Sequence, residues 1–351
     1  MLLLFEEQFK LPDSELSMIN EKIKTIAQSE VSTAMNLCSG RFDFEKELFI
    51  EWYKVGKLTL PKLQDLYYDL AVYLKDFEYD SWSIQYIQAY KQAKLEDKYT
   101  NNIKEFISNK NADEHSFYEW YHTFALSKEL LALEKPDKIY WLDGVGIEYL
   151  SIIKSIIDKS PFKIQKIEIA RTGIPSSTEH NRFDNVIKRD ELDSYIHSEQ
   201  YKYPFSICKE IDIIKLLISE ILNQSQETTI AIVSDHGMTA LSRLVDSKKY
   251  LTKSSHEGRY IKIDSSDCIK DSDYIRCKNG DDSFKVALTH ASLDTKPVRE
   301  VHGGCTPEEI LVPFILISNI NKKAEQIQAT ETVLEANEIK KTVGFEEEDI
   351  F

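Results

Sequence analysis

Apolar and polar positions alternate with helical spacing through the first third of the chain. Gly and Pro are rare there, and aromatic residues are frequent. Aromatic residues at helical spacing usually pack a core, so we expect them to do so rather than form a binding surface. The pattern predicts an all-helical N-terminal domain over residues 1–134, with helices over 15–27, 44–53, 60–74, 83–93 and 115–133.

The pattern changes at residue 135, where short apolar runs begin to alternate with amphipathic stretches. This alternation predicts an α/β domain over residues 135–320, with a mostly parallel sheet flanked by helices. Residues 321–351 are charged, and we expect a helix with an exposed acidic end. The predicted strands are 139–142, 164–170, 229–233, 260–263, 284–288 and 310–317, and the predicted helices are 147–157 and 207–222.

Composition narrows the class of protein. The 351 residues carry a formal charge of -15. No cluster of Lys and Arg is long enough to indicate a broad basic surface that binds nucleic acid. No apolar run reaches the 18 residues or so that a membrane span needs, and no leader pattern opens the chain, so we expect a cytoplasmic protein without a membrane partner. The five scattered cysteines form no CxxC pair and are expected to be free thiols.

Metal-type side chains follow two predicted strands at the point where each strand ends. Asp143-Gly144 follows the first strand, and Asp235-His236-Gly237 follows the strand over 229–233. Ligands of open α/β sheets bind at the carboxyl ends of strands, and Asp and His suit a divalent ion. An N-cap followed by a surface histidine is the alternative for the second pair.

Two further segments carry residues of the same kind. Asp193 and His197 are four residues apart, which places them on one face of a helix. His302 precedes two glycines, close to the start of the last buried strand. Taken alone, the first pair could be an exposed ion pair and His302 a loop histidine.

Hydroxyl side chains follow the strand over 164–170, in the run Pro175-Ser176-Ser177-Thr178. A hydroxyl after a strand and at a helix start can serve as a nucleophile. A simple Ser/Thr N-cap for the next helix is the alternative.

The order of these motifs resembles the alkaline phosphatase superfamily. The resemblance implies an alkaline-phosphatase-like core that holds two divalent ions. The run before the hydroxyl looks like the Pro-Thr-x-Thr run of the phosphodiesterase branch, which selects Thr178 as nucleophile and leaves Ser176 and Ser177 as alternatives. By position, one ion is assigned Asp143, Thr178, Asp235 and His236, and the other Asp193, His197 and His302.

Within the superfamily, residues 138–320 resemble the PglZ family of bacterial anti-phage systems of the phage-growth-limitation and BREX type. The phrases that carry this resemblance are 192–197 with 201–204, 234–237, 256–260, and 301–304 running into 309–313. The chain departs from the family around the nucleophile, where Ser176 replaces the first expected Thr. The resemblance implies a pocket-rim role in substrate binding for His256 and Arg259; Arg171 and Arg182 are further candidate donors to phosphoryl oxygens, and His180 could face the pocket.

The expected function is a phosphodiesterase that uses a Thr nucleophile and two divalent ions, zinc first and manganese or magnesium next. The expected partners are a phosphoryl-ester substrate, with a nucleotide or nucleic acid as one candidate, and other proteins of the defence system. A monoesterase or an isomerase of the phosphoglycerate mutase type stays open, whereas a sulfatase lacks its CxPxR run. A scaffold subunit of a multiprotein defence complex, with a slow or inactive site, is the alternative from another class.

Overall fold

The computed structural model describes residues 11–77, 79, 81–111, 114–225, 227–248, 254–264 and 271–319. The predicted C-terminal tail and Cys268 lie outside these residues. The other four cysteines are free. No helix among the described residues is long and apolar enough to cross a membrane.

The N-terminal region is helical, as predicted. The pattern over 60–74 forms two helices that meet at Tyr67, whose φ of -143° and ψ of 77° are not helical. The predicted helix over 115–133 is likewise divided, by residues 122–126. The helices are α1 (Asp13–Ser29), α2 (Val31–Leu37), α3 (Asp43–Lys54), α4 (Leu60–Leu66), α5 (Tyr68–Leu74), α6 (Ser81–Glu96), α7 (Asn101–Lys110), α8 (Glu114–Tyr121) and α9 (Ser127–Glu134).

Aromatic side chains fill much of this helical core, which agrees with their spacing in the sequence. Trp52, Tyr67, Trp120 and Tyr121 are all buried, whereas Tyr68 is 40% exposed. One hydrophobic cluster continues from this region into the strands and helices beyond residue 134. The helical region is therefore packed against the rest of the chain through apolar contacts.

Strands and helices alternate from residue 138 onward. A short helix, α11 (Glu191–Ile196), is followed by a long helix, α12 (Ser206–Gln224), which buries Ile207, Ile211, Ile214, Ile218 and Ile221 at helical spacing. The elements are β1 (Lys138–Leu142), α10 (Leu150–Ile157), β2 (Phe162–Arg171), β3 (Ile187–Arg189), α11 (Glu191–Ile196), α12 (Ser206–Gln224), β4 (Thr229–Ser234), β5 (Tyr260–Ile263), β6 (Tyr274–Asn279), β7 (Asp282–Ala287), α13 (Pro307–Ile310) and β8 (Leu311–Asn319).

The main sheet is mixed, with strand order β2-β8-β4-β1-β3. Strand β1 pairs in parallel with both β3 and β4, which gives the sheet a parallel core. Strand β8 is antiparallel to both of its neighbours, β2 and β4. The other four strands run in one direction, as expected for a mostly parallel sheet, and β8 runs in the opposite direction. The apolar run of β8 is buried throughout, and hydrophobicity does not encode strand direction.

A second sheet, with order β5-β7-β6, is antiparallel and was not predicted as a unit. Strand β6 was missed altogether. It joins β7 through the two-residue turn Gly280-Asp281, in which Gly280 has a φ of +59°. A Gly-Asp pair between two strands is a known hairpin signal, so the sequence did contain evidence for this turn.

Candidate metal centre

The ends of the main sheet's strands bring the predicted site residues to one edge. Residue 143 directly follows β1, and residues 235 and 236 directly follow β4. Helix α11, which carries Asp193, begins two residues after β3. Because β8 is antiparallel, its start lies at this same edge, after the segment that contains His302. The antiparallel direction of β8 therefore places the segment that contains His302 at the carboxyl ends of the other strands.

A first group of ligand-type atoms surrounds the Thr178 hydroxyl. Its Oγ1 lies 2.8 Å from Asp235 Oδ2, 3.2 Å from Asp143 Oδ1 and 3.1 Å from His236 Nε2. The two carboxylates and the imidazole are buried and lie close enough together to hold one ion. This group contains the four residues predicted for the first metal ion.

Two glycines allow the chain to turn away beneath these ligands. Gly144 has a φ of +75°, a conformation that L side chains rarely adopt. A Cβ on Gly237 would lie 2.1 Å from the backbone oxygen of Glu308. The glycines that follow Asp143 and His236 are therefore required by backbone geometry and by close packing.

The orientation of His236 is fixed by its second ring nitrogen. Nδ1 lies 3.1 Å from the Gly237 carbonyl, which can only accept, so Nδ1–H donates and Nε2 faces the carboxylates. Burial alone lowers the pKa of His236, but Asp235 and Asp143 outweigh it and raise this pKa to about 9. The carboxylates thus create a buried negative field that favours a positive charge at this position.

A second group of ligand-type atoms comprises Asp193, His236 and His302. The rings of His236 and His302 are stacked, with centroids 3.8 Å apart. His197 does not belong to this compact group, although its Nε2 lies 3.4 Å from Asp193 Oδ1. The prediction kept the two ligand sets separate, whereas in the structure His236 lies within reach of both.

One oxygen of Asp193 has the surroundings expected of a metal ligand. Asp193 Oδ1 is buried and has no hydrogen-bond partner among the described residues. The Nε2 atoms of His197 and His302 lie 3.4 and 3.9 Å from it. Burying an oxygen without a partner is costly, and a cation between this carboxylate and the imidazoles would remove the cost. The donor set therefore fits a divalent ion.

His302 has the protonation state expected of a metal-binding histidine. It is buried, and its Nδ1 lies 3.3 Å from the Ser176 carbonyl, which fixes Nδ1 as the donor and leaves Nε2 free. Burial and the neighbouring His236 lower the pKa of His302 well below its ordinary value. A neutral imidazole with a free Nε2 is the form that binds a metal.

The three candidate hydroxyls have different surroundings. Ser176 Oγ donates to the Gly304 carbonyl at 2.7 Å, and Ser177 Oγ lies 2.8 Å from His180 Nδ1. Of the three, Thr178 is the one whose hydroxyl contacts the Asp and His ligands. No helix begins here, because residues 178–180 form a turn. The alternative of a helix N-cap therefore does not apply.

Arg259 lies in a different environment from the one expected. It is fully buried, and its guanidinium donates to both carboxylate oxygens of Glu309, at 2.7 and 2.9 Å. Two more of its bonds go to the carbonyls of Ala291 and Thr289. A guanidinium engaged in this way is not available at a pocket rim, so we do not include Arg259 among the groups that contact substrate.

The remaining predicted rim residues differ in their proximity to the ligands. The His256 ring lies 4.4 Å from that of His302, and burial with the nearby His236 lowers the His256 pKa to about 4. His180 Nδ1 makes a hydrogen bond with the Ser177 hydroxyl. Arg171 donates to the Phe124 carbonyl. Arg182 is exposed.

Lys188 is a site residue that the sequence analysis missed. Its Nζ lies 2.5 Å from Asp143 Oδ2, and its side chain is 40% exposed. Burial alone raises the pKa of Asp143, but His236 and Lys188 outweigh it and hold this pKa at about 2. Lys188 lies in β3, a three-residue strand with two basic residues and no motif, so no sequence signal pointed to it.

Comparison with known proteins adds no assignment. No family model matches this chain, and a search of curated proteins finds no match. The resemblance to the PglZ family therefore stays a prediction that rests on the motifs and their order.

Proposed function

We propose that this chain is a phosphoric ester hydrolase that depends on two divalent cations and uses Thr178 as its nucleophile. The observation that carries the proposal is the position of Thr178 Oγ1, within 3.2 Å of Asp143, Asp235 and His236. A hydroxyl among buried ligand-type atoms is what activation by a metal requires. Ser176 and Ser177 make other contacts, which favours Thr178 over both.

Two ligand groups support a pair of ions. Asp143, Asp235 and His236 would hold one, and Asp193 with His302 the other, with His197 beside Asp193. Mixed imidazole and carboxylate ligands make zinc the first choice, with manganese and magnesium as alternatives. Such ions, when bound, lower the pKa of an attacking hydroxyl and stabilise the oxygen that leaves.

The chain's own residues account for the remaining chemistry. Thr178 Oγ attacks phosphorus, the bond from phosphorus to the leaving alcohol oxygen breaks, and a threonyl phosphoester forms. The hydroxyl proton is released to solvent, and the leaving oxygen takes a proton from water. Water then attacks the same phosphorus, which regenerates the Thr178 hydroxyl and releases the second product. The contact between Thr178 and Asp235 keeps the hydroxyl oriented in the free enzyme.

Lys188 supplies the donor for a non-bridging phosphoryl oxygen. It contacts Oδ2 of Asp143, while Thr178 contacts Oδ1 of the same carboxylate. The ammonium and the nucleophile therefore lie on either side of one small group. Its side chain is accessible to solvent, and its contact with Asp143 raises the pKa of Lys188 against the effect of burial, so it stays charged.

The biological setting of the proposal rests on the resemblance alone. The PglZ-like phrases support a role in bacterial anti-phage defence, with other proteins of such a system as partners. A phosphodiester, such as a nucleotide or nucleic acid, is the substrate class that this resemblance favours over a monoester.

Hydrolysis of a generic aryl phosphodiester and of the matching monoester tests the proposal. Metal-stripped protein is titrated with zinc or manganese, using wild type, Thr178→Ala and Ser177→Ala as a matched hydroxyl control. We expect metal-dependent diester cleavage that is lost in the Thr178 variant and kept in the Ser177 variant. Cleavage that survives in Thr178→Ala would show that another hydroxyl attacks. Bound zinc without turnover of either ester would favour the scaffold alternative.

A further inference from the structure

One face of helix α6 carries polar groups into the interior of the protein. Tyr86, Tyr90 and Lys94 are four residues apart, so they share this face, and all three are buried. Buried hydroxyl and ammonium groups must find partners. The partners of these three side chains lie in the α/β part of the chain, close to the ligand-bearing segments.

Lys94 binds three carboxylates that come from three different segments. Its Nζ lies 2.8 Å from Glu300 Oε1, 2.9 Å from Glu210 Oε2 and 3.3 Å from both oxygens of Glu148. All four side chains are at most 2% exposed. Glu300 lies two residues before His302, so Lys94 fixes one end of the segment that carries this ligand.

Helix α6 also makes a hydrogen bond with the segment that follows His197. Tyr203 Oη donates to the backbone carbonyl of Lys94. Tyr201 Oη donates to Glu300 Oε1 at 2.8 Å, which joins this segment to the one before His302. The two histidine segments therefore meet at a single lysine of the helical region.

Tyr90 performs the corresponding role beside His236. Its Oη donates to the Met238 carbonyl and accepts from the Ala240 amide, both at 3.1 Å. Met238 directly follows the Asp-His-Gly run that comes after β4, and Ala240 lies two residues further on. Two adjacent turns of one helix thus contact the segments that carry His236, His302 and His197.

We infer that this face of α6 positions the metal ligands, with Lys94 and Tyr90 as positioning residues. The helical region is then a structural part of the metal centre rather than a separate accessory domain. The inference rests on the proposed function only in that the site binds metal. Removing a hydrogen bond made directly to a metal ligand typically changes metal affinity about 10–100-fold. Lys94 and Tyr90 contact residues beside the candidate ligands, so we expect the lower end of this range.

Zinc affinity and backbone hydrogen exchange test this inference. Lys94→Met removes the cation, Tyr90→Phe removes only a hydroxyl, and Lys98→Met removes an exposed lysine two residues beyond the end of α6 as the control. Calorimetry should give zinc dissociation constants that are about 10-fold higher in the first two variants and unchanged in the control. Exchange in metal-stripped protein should rise over 299–304 in Lys94→Met and over 238–240 in Tyr90→Phe.

Two outcomes would overturn the inference: wild type that binds no zinc, or folded variants whose zinc affinity and exchange stay within twofold of wild type. If Lys94→Met does not fold, Tyr90→Phe decides. Failure of the proposed function would look different, because wild type would then bind zinc without hydrolysing either ester.

Discussion

The buried pair of Arg259 and Glu309 offers a direct test of what Arg259 does. The motif that contains Arg259 suggests a substrate contact, whereas its position in the structure indicates a structural role. Replacing Arg259 with Met keeps an unbranched side chain and removes every donor of the guanidinium. The two interpretations predict opposite outcomes for stability and activity.

The expected loss of stability follows from the contacts that disappear. Arg259→Met removes both bonds to the Glu309 carboxylate and leaves the carbonyls of Ala291 and Thr289 without this donor. Glu309 keeps bonds from the Gly304 amide at 2.9 Å and from the amide and hydroxyl of Thr306 at 3.2 and 2.6 Å, which compensate its charge only in part. Breaking a buried ion pair from one side costs about 3–5 kcal/mol, a large share of the roughly 5–15 kcal/mol that stabilises a typical domain.

Urea unfolding of metal-stripped protein measures this loss, and an exposed pair provides the control. Lys262 and Asp282 form an ion pair at 2.6 Å whose side chains are 64% and 45% exposed. Lys262→Met should therefore cost less than about 1 kcal/mol. If Arg259→Met lowers the free energy of unfolding by no more than this control and yet abolishes diester hydrolysis, Arg259 acts on substrate and our reasoning is refuted.

Three further predictions concern acid stability, metal binding and Lys188. Burial alone raises the pKa of Glu308, but His290 outweighs it and lowers this pKa to about 2. This carboxylate therefore contributes on the order of 3 kcal/mol above pH 4.5 that is lost as pH falls toward 2, and urea midpoints of wild type and Glu308→Gln should converge over that range. Zinc at about 100 times its dissociation constant should stabilise wild type against urea by about 2.7 kcal/mol per site and Asp235→Asn by less; equal stabilisation would exclude Asp235 as a ligand. Lys188→Met should lower kcat/KM for the diester about 10–100-fold, and a change below twofold would remove Lys188 from the phosphoryl site.

The convergence of the candidate ligands could be anticipated from the sequence because several of them follow buried strands. Asp143 comes directly after one apolar run and Asp235 comes one serine after another, and an apolar run that ends in a carboxylate is a local signal. The spacing of Asp193 and His197 is also local, since one helical turn brings them together. These local signals can be recognised without knowing how the strands pair.

What could not be predicted depends on contacts between distant segments. Lys188 meets Asp143 because β3 pairs beside β1, and a three-residue strand with no apolar pattern gives no warning of this. The burial of Arg259 depends on Glu309, fifty residues later in the chain. The direction of β8 is hidden for a similar reason, because a strand buried on both faces has the same pattern in either direction.

The charge of the site explains how an acidic protein could bind a phosphoryl ester. Asp143, Asp193 and Asp235 converge at one sheet edge, and without cations they would repel an anionic substrate. Two divalent ions outweigh these three carboxylates, and the Lys188 ammonium adds one more positive charge. The pocket is then positive where the phosphoryl group would lie, although the chain as a whole carries a charge of -15. In the metal-stripped site the three carboxylates still outnumber the charged His236 and Lys188. Phosphate should therefore inhibit hydrolysis when metal is bound and should not bind metal-free protein; binding of phosphate to metal-free protein would contradict this account.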